Sequence, residues 1–117
     1  MVVSNETITN KQRFIQVIEN NTGTVVFKFS ADWCGPCKKI LPIVNDFKEK
    51  IKHDETIVWY DIDVDDSIEI FGMLKTKRIV SGVPSILVYF EGNDEIYPDE
   101  FITGANEKDI EHVFSKL

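Results

Sequence analysis

The sequence predicts an α/β domain, a sheet covered by helices on both faces, and two patterns carry that reading. The run Thr24-Val25-Val26-Phe27-Lys28-Phe29 is apolar on both faces apart from Lys28, as expected of a central strand packed from each side. From the N-terminus to Leu74, strand-like runs also alternate with segments of helical periodicity. At 117 residues, 43% of them hydrophobic and 28% charged, the chain can bury one core, so residues 1–117 read as a single domain.

The elements follow in order. Val2-Val3 forms a short extended start. Thr9 or Asn10 then offers an N-cap to a helix with Phe14, Val17 and Ile18 on one face, ended by Asn20-Asn21-Thr22-Gly23. After the central strand, Ile40, Val44, Phe47 and Ile51 mark a helix from Cys34 to about Lys52. A kink is expected at Pro42, whose ring removes one backbone hydrogen bond. The loop His53-Asp54-Glu55 leads to a second buried strand, Thr56 to Asp63. Asp65-Asp66-Ser67 is the expected cap of a short helix bearing Ile68, Phe71 and Leu74. Lys75 to Ser81 either prolongs that helix or bulges as a basic loop. Ser85 to Phe90 and Ile96 to Thr103 read as an antiparallel hairpin around Glu91-Gly92-Asn93-Asp94. Tyr97-Pro98-Asp99-Glu100 is expected as a bulge or insertion in an edge strand, where proline is tolerated. Ile110, Val113, Phe114 and Leu117 give the last helix one apolar face.

The chemistry concentrates at Trp33-Cys34-Gly35-Pro36-Cys37, which holds both cysteines of the chain at a strand-to-helix junction. Unpaired backbone N–H groups at a helix start favour a thiolate over a thiol, which makes Cys34 the expected nucleophile. One helical turn separates positions i and i+3, so Cys37 falls beneath Cys34 at a separation a disulfide spans, and the pair can open and close. For a bare CxxC the plainer reading is a structural or adventitious pair. A zinc site would need four ligands, and His53 and His112 lie in a loop and a terminal helix with no metal spacing, so no metal is expected.

The unbroken Trp33-Cys34-Gly35-Pro36-Cys37 resembles the active site of the thioredoxin family, and its flanking Trp and Gly-Pro filling make the match specific. Pro42, Asp61-Ile62-Asp63, Gly82-Val83-Pro84-Ser85 and Thr103-Gly104-Ala105 also stand at family-like positions. The resemblance implies the thioredoxin fold, a central mixed sheet of four to five strands flanked by helices on both faces. It implies a thiol-disulfide oxidoreductase that reduces protein disulfides, in which Cys34 attacks and Cys37, shielded below it, resolves the mixed disulfide. Trp33, Gly35, Pro36, Val83, Pro84, Gly104 and Ala105 would form the apolar docking surface. A cis peptide after Val83 would let the neighbouring backbone pair with a substrate chain. No organic cofactor is implied, and electrons would come from a donor of the thioredoxin-reductase type.

Two positions depart from the family pattern. Where the family carries a buried aspartate on the strand before the motif, this chain has Lys28; where it often carries a lysine facing that aspartate, this chain has Trp59. The acid and its partner are thus both expected to be missing, and Lys28 and Trp59 are taken as active-site support. Strand alternation puts Val26, Lys28 and Ser30 on one face, with Asp61 a candidate partner for Lys28 and Trp59 a candidate cation–π contact. The plainer reading of Lys28 is a stem along apolar surface with its head in water. The exchange leaves two alternatives to a reductase: a redox-inert interaction module of the same fold, and a more oxidising, isomerase-like variant.

A formal net charge of −7 argues against a nucleic-acid surface, which would need a basic patch. Met1 to Ile15 hold no apolar signal-peptide core, and no apolar run approaches the roughly 20 residues that cross a bilayer. The expectation is a cytoplasmic monomer acting on disulfide-containing protein substrates, in a reducing setting where a CxxC is usually catalytic.

Overall fold

The computed structural model describes residues 1–117. Five strands, β1 (Val2–Val3), β2 (Thr24–Ser30), β3 (Ile57–Asp63), β4 (Ser85–Tyr89) and β5 (Glu100–Thr103), form one sheet in the order β1-β3-β2-β4-β5. β1, β3 and β2 run parallel, whereas β4 is antiparallel to β2 and β5 to β4. The helices are α1 (Lys11–Glu19), α2 (Gly35–Lys39), α3 (Leu41–Ile51), α4 (Ile68–Thr76) and α5 (Glu107–Phe114). No helix is long and apolar enough to cross a membrane.

The double-sided apolar pattern of β2 has the expected cause. Val25, Phe27 and Phe29 pack with Phe14, Val17 and Ile18 of α1 and Ile70 and Leu74 of α4. Val26 points the other way, into a second core with Trp59, Ile86 and Val88 of the neighbouring strands, Val44 of α3 and Ile110 and Val113 of α5. Of the two candidate caps for α1, Asn10 serves: its side chain accepts the Arg13 N–H at 2.8 Å. Gly23 precedes β2 because the chain passes very close to β3 there; a Cβ would lie 2.2 Å from the Thr56 carbonyl oxygen.

Several boundaries differ from the sequence reading. The long helix does not kink at Pro42; it breaks at Ile40 (φ −87°, ψ −6°), so that Pro42 falls in the first turn of α3, where no partner is needed for a missing N–H. In α4 the inward residues are Ile70 and Leu74, with Phe71 partly buried, while Ile68 is 73% exposed. Ser67 stands at the N-cap of α4 without capping it, because its buried hydroxyl donates to the Ile8 carbonyl at 2.6 Å. The connection 75–81 is no bulging loop. The helix runs to Thr76 and closes through Arg78 at φ 59°, with Arg78 N–H on the Lys75 carbonyl (3.0 Å) and Ile79 N–H on the Leu74 carbonyl (2.9 Å). Ile79 and Val80 then plug into the α1/α4 core.

The hairpin is also wider than its sequence suggested, since β5 begins only at Glu100 and Ile96 to Asp99 lie outside it. Side chains hold this loop: Asp99 accepts from Phe90 N–H (2.7 Å) and the Asn93 amide (3.0 Å), and the Tyr89 hydroxyl donates to the Ile96 carbonyl at 2.5 Å. Burial, with the Asp99 charge adding to it, pushes the Tyr89 hydroxyl far above its ordinary pKa.

Candidate active site

β2 delivers the chain to the sheet's carboxyl edge, and Cys34 becomes the N-cap of α2 in extended backbone (φ −90°, ψ 105°). Its sulfur does what a capping oxygen does elsewhere, accepting the Cys37 N–H at 3.1 Å. Cys34 and Cys37 are joined as a disulfide, with Cα atoms 5.3 Å apart. Gly35 and Pro36 are exposed above the bridge, and a Cβ at Gly35 would meet no atom within 4 Å, so this face is open to an approaching chain.

The second wall of the site is the loop before β4. The Val83–Pro84 peptide is cis, and the Val83 carbonyl oxygen lies 3.7 Å from Cys34 Sγ. Ser85 Oγ joins the Gly82 carbonyl (2.6 Å) and Thr103 Oγ1 (2.7 Å), and Gly104 N–H donates to the Pro84 carbonyl at 2.8 Å. Gly104 sits at φ 109°, a conformation side chains rarely adopt, which accounts for glycine at this step out of β5. Val83, Gly104 and Ala105 are half-buried, whereas Pro84 is buried behind them.

Trp33 is 68% exposed, and its indole N–H donates to Asp65 Oδ2 at 2.9 Å. Beside it a groove of about 420 Å³ runs between Trp33, Ile68, Phe71, Lys75 and Val83. Gly104 and Ala105 do not line it. Sequence reasoning named Ile68 with Phe71 and Leu74 as apolar residues of the helix and missed it as a surface residue. The i, i+4 pair Ile70 and Leu74 was the signal that could have placed it outside.

Below the bridge the structure revises the account of Lys28. Register sets Lys28 opposite Asp61, and Trp59 opposite Val26, so the β3 residue facing Lys28 is an acid. The acid's place on β2 is taken by Lys28, and Asp61, its candidate partner, stands opposite it on β3. Lys28 does not snorkel: its side chain is 8% exposed and its Nζ lies 3.5 Å from Asp61 Oδ1. Trp59 N–H donates to that same oxygen at 3.0 Å, and Lys48 Nζ lies 3.4 Å from Oδ2. The cation over the Trp59 ring is Lys48, 4.8 Å from its centroid, and not Lys28. Burial alone would raise the Asp61 carboxyl, but the Trp59 indole and the Lys28 and Lys48 ammoniums outweigh it and hold it below its ordinary value. Cys37, although 5% exposed, is not sealed: with Lys28, Ser30, Asp32 and Lys38 it lines a cavity of about 200 Å³.

A bridge that can open to two thiols and re-form by exchange, set in a shallow apolar wall, makes this protein a thiol-disulfide oxidoreductase acting on protein disulfides. The sequence model of the thioredoxin family matches residues 5–116, and the chain belongs to that family. A thioredoxin of Oryctolagus cuniculus is 31% identical over 111 residues, spanning 94% of this chain and 95% of its own. Thioredoxin 1 of Plasmodium falciparum is 28% identical over 109 residues, 93% of either chain. A solved Plasmodium falciparum thioredoxin superposes with a TM-score of 0.66 at 27% identity, covering 99% of this chain and 98% of that one.

Proposed function

We propose that Cys34 is the attacking sulfur and Cys37 the resolving one. The observation that carries this is the orientation of the bridge: Cys34 caps the start of α2 with its Sγ 3.7 Å from the Val83 carbonyl, under the exposed Trp33 and Gly35, and Cys37 lies on the cavity side toward Lys28. In the dithiol form the Cys34 thiolate attacks a target disulfide, forming a mixed disulfide and releasing one target sulfur as a thiolate. The Cys37 thiolate then attacks Cys34 Sγ, the bond to the target breaks, and the second target sulfur leaves reduced. Trp33, Gly35, Pro36 and Val83, with the half-buried Gly104 and Ala105, offer the approaching chain a rim, and the backbone at Val83, beside a Pro84 whose carbonyl is held by the Gly104 N–H, can pair with it. Trp59 supports the site by holding Asp61.

Each turnover leaves the disulfide oxidised, so a dithiol donor of the thioredoxin-reductase type completes the cycle. The protein works as a monomer in a reducing compartment, read as the cytoplasm, since only there does the dithiol persist against oxidation. The test is mechanism-based trapping. Cys37→Ser should accumulate mixed disulfides with protein targets and Cys34→Ser should not; the reverse pattern would exchange the two roles.

A further inference from the structure

We propose that Lys28 holds Cys37 in its reactive thiolate form, through an uncompensated positive charge beneath the disulfide and a cavity that lets the proton leave. The proposal rests on Cys37 being the resolving thiol.

Asp61 is a single carboxylate shared by two ammoniums, Lys28 at 3.5 Å and Lys48 at 3.4 Å. One positive charge is therefore left over in this cluster; Asp63, on the same face of β3 opposite Ser30, makes no ion pair with either lysine and instead accepts the Asp65 N–H at 2.8 Å. Lys28 is the more buried of the two, its side chain 8% exposed against 21% for Lys48, so its field is screened less by water. The other charged groups on the cavity wall, Asp32 and Lys38, are exposed and opposite in sign, and they offset each other.

Geometry directs that charge at Cys37. Lys28 faces away from Phe27 and Phe29, toward the side of the sheet covered by α3, and shares the 200 Å³ cavity with Cys37 and not with Cys34. A volume of that size has room for several waters at about 30 Å³ each. An ammonium carries three N–H donors, and the one oxygen Asp61 turns to it leaves donors for that water or for a nascent thiolate.

In the mixed disulfide, Cys37 gives its proton to cavity water and its thiolate attacks Cys34 Sγ. The Cys34–target bond breaks, and the target sulfur departs with the electron pair and takes a proton from solvent. Lys28 touches neither transferred atom; it is a positioning residue that acts through the charge state of Cys37. The same charge favours the dithiol over the disulfide wherever Cys37 is ionised. A tenfold shift in that equilibrium makes a two-electron couple about 30 mV more oxidising.

The test uses the full chain in a Cys34→Ser background, where Cys37 is the one thiol left, and follows its thiolate by ultraviolet absorbance and by alkylation rate against pH. Lys28→Met should move the titration midpoint up by about one pH unit, a tenfold loss of thiolate at a given pH below it. Lys28→Arg, which keeps the charge, should stay near the parent. Lys28→Gln replaces Lys28→Met if the latter does not fold. A lysine that only braced the sheet would lower thermal stability and leave the midpoint in place. An unmoved midpoint, or the same upward shift for Lys28→Arg as for Lys28→Met, overturns the proposal. Either result leaves the roles of Cys34 and Cys37 standing, because trapping reports on them separately.

Discussion

The indole nitrogen of Trp33 donates to Asp65 Oδ2 at 2.9 Å, tying the most exposed aromatic beside the bridge to the turn that starts α4. A side chain 68% exposed would otherwise sample several rotamers, and fixing one on binding costs about 0.5–1.5 kcal/mol. Asp65→Ala should therefore raise KM for a protein disulfide about threefold to tenfold. Both kcat and the rate with a small-molecule disulfide should stay at the parent value. An equal loss with both substrates would place Asp65 in the chemistry and not in docking.

Ile68 extends the same rim. It is 73% exposed, an unusual place for isoleucine, and faces the groove that Trp33 and Val83 share. Covering it with an apolar residue of a target is worth on the order of 1 kcal/mol or more at about 25 cal/mol per Å². Ile68→Ser should lower kcat/KM for protein substrates about fivefold and leave the melting temperature unchanged, because the side chain has no core contact to lose. Steady-state kinetics alongside a thermal melt separates the two effects.

Acid stability should carry the signature of Asp61. Its carboxyl is held below the ordinary 3.8 in the folded protein despite burial, by Trp59, Lys28 and Lys48. With the folded value depressed, its contribution is complete above the unfolded pKa and is lost as pH falls through the lower folded one. Asp61→Asn should show a constant deficit in the urea midpoint above about pH 5, closing on the parent as both are taken below about pH 4. A deficit that stays constant down to low pH would mean that shape and not charge is lost.

Where a local pattern decides structure, the sequence was readable. Asn10 caps α1 through its own side chain, β2 is apolar on both faces because it is central, and the Cys34–Cys37 spacing is itself the helical turn that bridges them. Other features depend on register or on long-range burial. Alternation alone placed Lys28 and Asp61 on compatible faces, but only the in-register pairing of β2 with β3 put the acid opposite the lysine and left Trp59 to serve it from two residues away. The cap residue Ser67 looked local, yet the buried Ile8 carbonyl, far off in sequence, claims its hydroxyl. Tyr97-Pro98-Asp99 looked like an edge-strand bulge because nothing local reveals that Asp99 ties the loop to Phe90 and Asn93.

Arg78 is the clearest case of a residue whose conformation its type does not announce. It stands at φ 59°, where the backbone of an L-residue with a Cβ is disfavoured by roughly 1–2 kcal/mol. It is kept there by the closure of α4: its own N–H bonds the Lys75 carbonyl and the next N–H reaches back to Leu74, while the Leu74 and Ile79 side chains are buried in one core. The Arg78 side chain itself is exposed, so little is lost by removing it. Arg78→Gly removes the clash and gains more in the folded state than the added freedom of glycine costs through the unfolded one, a net of about 0.5–1 kcal/mol. For a domain of this size that corresponds to a rise of about 2–4 °C in melting temperature. Arg78→Val, branched at Cβ, should move the midpoint the other way. Calorimetry on the pair decides the matter: if Arg78→Gly melts below the parent, the arginine side chain stabilises this turn by more than its backbone costs.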